Sequence, residues 1–163
     1  MRVSAFVDTN VLVYGFSDQE PGKRDASRSA LEEFSPIVST QVLSELACVL
    51  TRKFRQPSSA VAEIVRQAAK SYDLVMVDAE VIRIALRLAD QYRLGFYDSQ
   101  IIAAALASGT KMLLSEDMQH GQVIDGVLTI QSPFVPAARQ RQREYRVKAR
   151  RSAKKPVPKR SGQ

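Results

Sequence analysis

Short apolar runs of strand length alternate along this chain with amphipathic stretches of helix length, and few folds accommodate that alternation. Val3 to Val7 read as a first strand, Ile37 and Val38 as a second, Leu74 to Val77 as a third, Met112 to Ser115 as a fourth and Val127 to Ile130 as a fifth. Between them apolar residues recur at helical spacing. Asp25 to Phe34 puts Ala26, Ala30, Leu31 and Phe34 on one face, with Pro36 as terminator. Ser39 or Thr40 caps a helix to about Phe54, striped by Val42, Leu43, Leu46, Val49 and Leu50. Ser58 opens another, and Asp78 is placed to cap a helix through Tyr92 that buries Val81, Ile82, Ala85, Leu88 and Ala89. A last helix opens at Asp98 and stops at Gly109. The expected fold is α/β, a three-layer α/β/α arrangement around a five-stranded parallel sheet.

Four carboxylates punctuate these elements. Asp8 ends the first strand, Asp117 follows the fourth, Asp98 stands at the start of a helix, and Glu45 borders the apolar stripe of its own helix. In an open parallel sheet, ligands gather outside the carboxyl ends of the strands. If the first and fourth strands are neighbours, Asp8 and Asp117 face one crevice. Isolated carboxylates on apolar elements are costly to bury without a countercharge. A hard divalent cation such as Mg²⁺ or Mn²⁺ takes oxygen ligands of this kind. Held beside a phosphodiester, it lowers the pKa of bound water and offsets charge in the transition state.

Each carboxylate taken alone also has a plain structural use: Asp98 as a helix cap, Asp8 in an Asx-turn, Glu45 as a half-exposed helix residue and Asp117 as a loop residue. Thr9, Asn10, Ser99 and Ser115 are short polar groups that could orient ligands or hold metal-bound water. They serve equally well as turn and cap residues. Glu116 rivals Asp117 as a ligand, and nothing local separates the two. His120, the single histidine, reads as a loop residue, and Tyr97 as packing.

The net charge of +7 conceals two unlike parts. From Arg139 onward there are 11 Lys and Arg and one acid, so 13 of the 24 basic and 16 of the 17 acidic residues lie before it, a net −3. The reading is therefore a body over residues 1–136 and a basic, flexible tail over residues 137–163. Arg139, Arg141, Arg143, Arg146, Lys148, Arg150 and Arg151 are its candidate phosphate contacts, and Arg139 to Arg151 could form a helix on a partner. One cysteine and one histidine exclude an intramolecular disulfide and a Cys-rich zinc centre. Cys48 reads as a small buried hydrophobe. The opening MRVSAFVDTN lacks the apolar core of a signal peptide and no run suits a membrane span, so a cytoplasmic protein is expected.

At FVDTNVLVY, VSTQVLSELACVLTRK and GFYDSQIIAAALASGTKMLLSEDMQHGQ, with the closing IQSPF, the chain resembles the PIN-domain ribonucleases, in particular the VapC-like toxins of bacterial type II toxin–antitoxin pairs. The likeness runs in order over about residues 1–135. It implies a PIN-like parallel sheet and a Mg²⁺- or Mn²⁺-dependent endoribonuclease. It maps an acidic quartet onto Asp8, Glu45, Asp98 and Asp117, with Asp8, Asp98 and Asp117 holding metal, and matches polar positions to Asn10 and Ser115. It also implies a homodimer, an RNA substrate and a cognate antitoxin protein. The basic tail lies outside it. Two other functions stay open: a housekeeping RNA-processing nuclease, and a non-catalytic nucleic-acid-binding protein acting through its tail.

Overall fold

The structure, a computed structural model, describes residues 2–135. In chain order the elements are β1 (Ser4–Val7), α1 (Thr9–Tyr14), α2 (Pro21–Glu33), β2 (Ser35–Ser39), α3 (Thr40–Arg52), α4 (Ser58–Ser71), β3 (Asp73–Val75), α5 (Ala79–Tyr92), α6 (Phe96–Ala107), β4 (Met112–Leu114), β5 (Val123–Ile124) and β6 (Leu128–Gln131). The sheet order is β3-β2-β1-β4-β6-β5. β1, β2, β3, β4 and β6 are parallel, which are the five strands expected from the sequence, and β5 adds a short antiparallel edge against β6. A two-residue strand after a loop carries no periodicity, so β5 left no signal in the sequence.

β1 is central because its residues tolerate burial on both faces: Ala5, Phe6 and Val7 are all fully buried. From β1 the chain steps outward to β2 and β3, and β4 and β6 then fill the opposite side. The order reverses between β1 and β4, the switch point at which such sheets open a crevice at their carboxyl ends. That crevice holds Asp8, with the buried Ser115 hydrogen-bonded to it.

Local chemistry sets the helix ends. The Ser39 hydroxyl accepts from the Val42 N–H at 3.3 Å, and the Asp78 carboxylate from the Val81 N–H at 3.0 Å, so both expected caps form. Gly109 (φ 75°) turns the chain out of α6 in the left-handed region that glycine adopts freely. α2 begins earlier than its apolar spacing indicates, because Pro21 presets the backbone of a first helical turn. Pro36 lies inside β2, opposite Ala5, rather than beyond a helix; β3 pairs only from Ile37 onward, so at Pro36 the ladder on that side has not begun. α6 starts at Phe96, with Gly95 as its cap, so Asp98 lies in the first turn and does not cap the helix.

α3 buries Val42, Leu43, Leu46 and Leu50. Cys48 falls on the opposite arc and is exposed, against the expectation that it is buried. Ile82, expected inside α5, is 40% exposed, while Val81, Ala85 and Leu88 are buried. Among the described residues no helix is long and apolar enough to cross a membrane. The boundary at 136 and the candidate phosphate contacts from Arg139 to Arg151 lie outside the described residues.

Leu46→Ala is expected to cost about 2–5 kcal/mol through cavity formation, whereas Cys48→Ser should stay within about 0.5 kcal/mol. Urea unfolding of both variants checks this, and a thiol reagent should titrate Cys48 in the native protein. A native thiol that reacts only after unfolding would overturn the placement of that face.

Candidate active site

Asp8 is delivered to the crevice by β1, whose ladder ends with the Asp8 N–H donating to the Leu114 carbonyl at 2.9 Å. One carboxylate oxygen accepts the Thr9 N–H at 2.7 Å, which caps α1. The other accepts the Ser115 hydroxyl at 2.7 Å and the Asn10 amide at 3.3 Å. Asp8 is 7% exposed and Ser115 fully buried. Burial pushes the Asp8 carboxyl up to about 6 from its ordinary 3.8; the Ser115 and Thr9 hydrogen bonds oppose the rise, and the charges of Glu45 and Asp117 add to it.

Asn10 ties the two sides of the switch point together. Its Nδ2 donates to Asp117 Oδ2 at 2.9 Å as well as to Asp8, and its Oδ1 accepts the Glu116 N–H at 3.3 Å. Glu116 and Asp117, indistinguishable in the sequence, are separated by a cation that sequence reasoning missed. Lys23 on α2 reaches Glu116 at 2.6 Å, donates to the Tyr14 hydroxyl at 2.9 Å and lies 4.5 Å from the Tyr14 ring centroid. Against the cost of partial burial, hydrogen bonds from Lys23 and Tyr14 hold the Glu116 carboxyl below its usual range. Glu116 is thus committed to a lysine, and Asp117 is engaged by Asn10.

Glu45 is held at both oxygens. Oε1 accepts from Gln41 Nε2 at 2.7 Å, and Oε2 accepts the Thr9 hydroxyl at 2.8 Å. Gln41 Nε2 also reaches the Tyr97 carbonyl at 3.3 Å, and Gln41 Oε1 accepts from Gln100 Nε2 at 2.7 Å. The Gln41–Glu45 pair is an i,i+4 contact that the sequence could have shown. Gln100 and Lys23 carry no local signal.

Asp98 sits at the cleft mouth, where partial desolvation first, and then Asp117 and Glu45, raise its carboxyl. Ser99 does not join the group as the sequence suggested: it is buried on the packed side of α6, its hydroxyl donating to the Gly95 carbonyl at 2.9 Å. Tyr97 is 69% exposed and touches Phe96 edge-on, so it is a rim residue rather than packing. His120 stays in the loop after β4, its Nδ1 accepting the Ser132 N–H at 3.0 Å.

One cleft of about 400 Å³ is lined by Asp8, Thr9, Asn10, Gln41, Glu45, Tyr97, Asp98, Glu116 and Asp117, among others. Asp8, Asp98, Glu45 and Asp117 can offer oxygen donors to a cation. Among the described residues no three acidic, histidine or cysteine groups stand together as a finished metal cage. A small hard cation that keeps several waters and takes one or two carboxylates has no need of one. The fit lies in the donor chemistry and in Asp8, a buried carboxylate whose closest charged influences are two more carboxylates. A divalent cation there would oppose the rise in its pKa by favouring the ionised form.

The profile of the PIN domain family matches residues 5–124. Among curated proteins none matches the chain significantly. Similar folds occur in solved structures. A toxin–antitoxin complex from Klebsiella pneumoniae aligns at TM-score 0.59 and 21% identity, covering 79% of this chain and 97% of its own. The sarcin–ricin-loop-cleaving toxin VapC20 of Mycobacterium tuberculosis aligns at TM-score 0.55 and 18% identity, over 67% and 86%. VapBC2 from Rickettsia felis, bound to a promoter DNA fragment, aligns at TM-score 0.57 and 15% identity, over 80% and 98%. At such identities the likeness is one of fold.

Because the folded state raises the Asp8 pKa, the native metal-free protein holds a proton there that the unfolded chain releases between about pH 4 and 6. Asp8 therefore lowers metal-free stability progressively as pH rises through that window, by at most about 3 kcal/mol. In EDTA, Asp8→Asn should raise the urea midpoint at pH 7.5, less what the Asn10 amide loses, and change it little at pH 4. A variant less stable than wild type at pH 7.5 would contradict the strained carboxylate.

Proposed function

The chain belongs to the PIN domain family, and on that premise we propose that it is a Mg²⁺- or Mn²⁺-dependent endoribonuclease acting as the toxin of a toxin–antitoxin pair. The observation that carries this reading is the gathering of Asp8, Glu45, Asp98 and Asp117 around one cleft at the sheet's switch point. Asp8, Asp98 and Asp117 would hold the cation, and Glu45 would complete the acidic set. When bound, the cation supplies positive charge against the phosphodiester and a water of lowered pKa.

The chain's own residues prepare that chemistry. Ser115 and Thr9 fix the rotamer of Asp8, and Asn10 keeps Asp8 and Asp117 in register across β1 and β4. Lys23 draws Glu116 aside. Tyr97 leaves an exposed ring at the mouth, where an unstacked base could rest.

Two further parts of the reading draw on the solved relatives and on the sequence. Similar folds have been solved as toxin–antitoxin complexes, which supports a cognate antitoxin as partner; the homodimer is proposed from the sequence resemblance alone. One relative is described as cleaving the sarcin–ricin loop, which supports RNA as the substrate class. Arg139, Arg141, Arg143, Arg146, Lys148, Arg150 and Arg151 would add phosphate contacts. Phe134, just before them in the chain, packs against the cleft residue Tyr14 with ring centroids 5.0 Å apart.

Purified protein should cut RNA with Mg²⁺ or Mn²⁺ and lose cleavage in EDTA and in Asp8→Asn. Removing residues 139–163 should leave cutting intact at low salt and flatten the salt dependence of RNA binding. Cleavage that persists in EDTA, or in Asp8→Asn at the wild-type rate, would refute the assignment. Binding lost with the tail, together with no cleavage under any metal, would favour the non-catalytic protein.

A further inference from the structure

The Gln100–Gln41 pair is not part of the acidic set, yet it ends on it. Gln100 lies on α6 two residues after Asp98, is only 9% exposed, and donates across to Gln41 on α3 at 2.7 Å. Gln41 passes the same polarity on. Its amide nitrogen donates to Glu45 Oε1 at 2.7 Å, one turn along α3, and to the backbone carbonyl of Tyr97 at 3.3 Å. Two amides are thereby aligned nitrogen-forward toward one carboxylate, and hydrogen bonds in such a chain polarise one another. The Thr9 hydroxyl completes the grip at 2.8 Å on the other oxygen. A half-buried glutamate on a helix has several rotamers open to it; donors on both oxygens select one. The relay also joins the helix carrying Asp98 to the helix carrying Glu45, so it fixes the separation of two cleft carboxylates that come from different elements.

We propose that Gln41 and Gln100 are positioning residues for the cation site: they orient Glu45, and hold α3 and α6 at the spacing the site needs. The inference rests on the reading of the cleft as a divalent-cation site. Groups that orient ligands from behind typically govern affinity by about 10–100-fold.

The test is Mn²⁺ binding by isothermal calorimetry to the full chain, with wild type, Asp8→Asn, Gln41→Leu and Gln100→Leu, alongside urea unfolding of each in EDTA. Gln41 is partly exposed, so its variant should fold. The expected result is Mn²⁺ affinity reduced about 10-fold in Gln41→Leu, a smaller reduction in the same direction in Gln100→Leu, and a metal-free urea midpoint for Gln41→Leu close to wild type. Wild-type affinity in Gln41→Leu, with wild type binding and Asp8→Asn not binding, would overturn the relay and leave the cation site standing. Absence of Mn²⁺ binding in wild type would overturn the cation reading and the relay with it.

Discussion

A carboxylate buried at the carboxyl end of the central strand is the interaction around which the rest of the molecule is arranged. Asp8 is nearly inaccessible, and three donors, from Thr9, Ser115 and Asn10, converge on it. Those hydrogen bonds favour its ionised form, yet burial outweighs them and Glu45 and Asp117 push the same way. A protein gains nothing in stability from such a residue without a countercharge. The fold holds it there because the strand order reverses between the parallel β1 and β4, so the ends of both strands and the loops after them open into one crevice.

What surrounds Asp8 sorts carboxylates by role. Lys23 engages Glu116, while Asn10 engages Asp117, although the two acids are adjacent in the chain. Thr9 serves twice: its N–H caps through Asp8, and its hydroxyl steadies Glu45. The cleft therefore gathers carboxylates of which Asp8, Glu45 and Asp117 are held by neutral polar groups, with the charged lysine placed where it neutralises the acid left out of the set. This division suits a small cation and an anionic substrate: negative oxygens for the ion and, among the described residues, no lysine ammonium hydrogen-bonded to Asp8.

Much of this was legible from the chain because it depends on local chemistry. Ser39 and Asp78 cap where a polar residue precedes an apolar periodic stretch, and Gly109 ends α6 where a left-handed residue is needed. The parallel strands were visible as short apolar runs, and Asp8 and Asp117 meet on the condition the sequence left open, that β1 and β4 are neighbours. What stayed hidden depends on the third dimension. β5 is two residues long and exists only because β6 offers it an edge. Cys48 looks apolar by composition but falls on the outer arc of α3. Ser99 sits next to Asp98 in sequence, yet the helical twist turns it into the core. The Lys23–Glu116 and Gln41–Gln100 pairs join side chains from different elements, and no local pattern announces such partners.

On the function proposed for the cleft, a divalent cation completes the buried Asp8 charge. The most direct measurement is the Asp8 side-chain carboxyl carbon followed by NMR across pH, without metal and with saturating Mg²⁺. The expected result is a metal-free midpoint near 6 that falls well below that value when Mg²⁺ is present, because an adjacent cation favours the ionised form. A midpoint near 6 that Mg²⁺ leaves unmoved, or an ordinary carboxylate midpoint in both conditions, would contradict it.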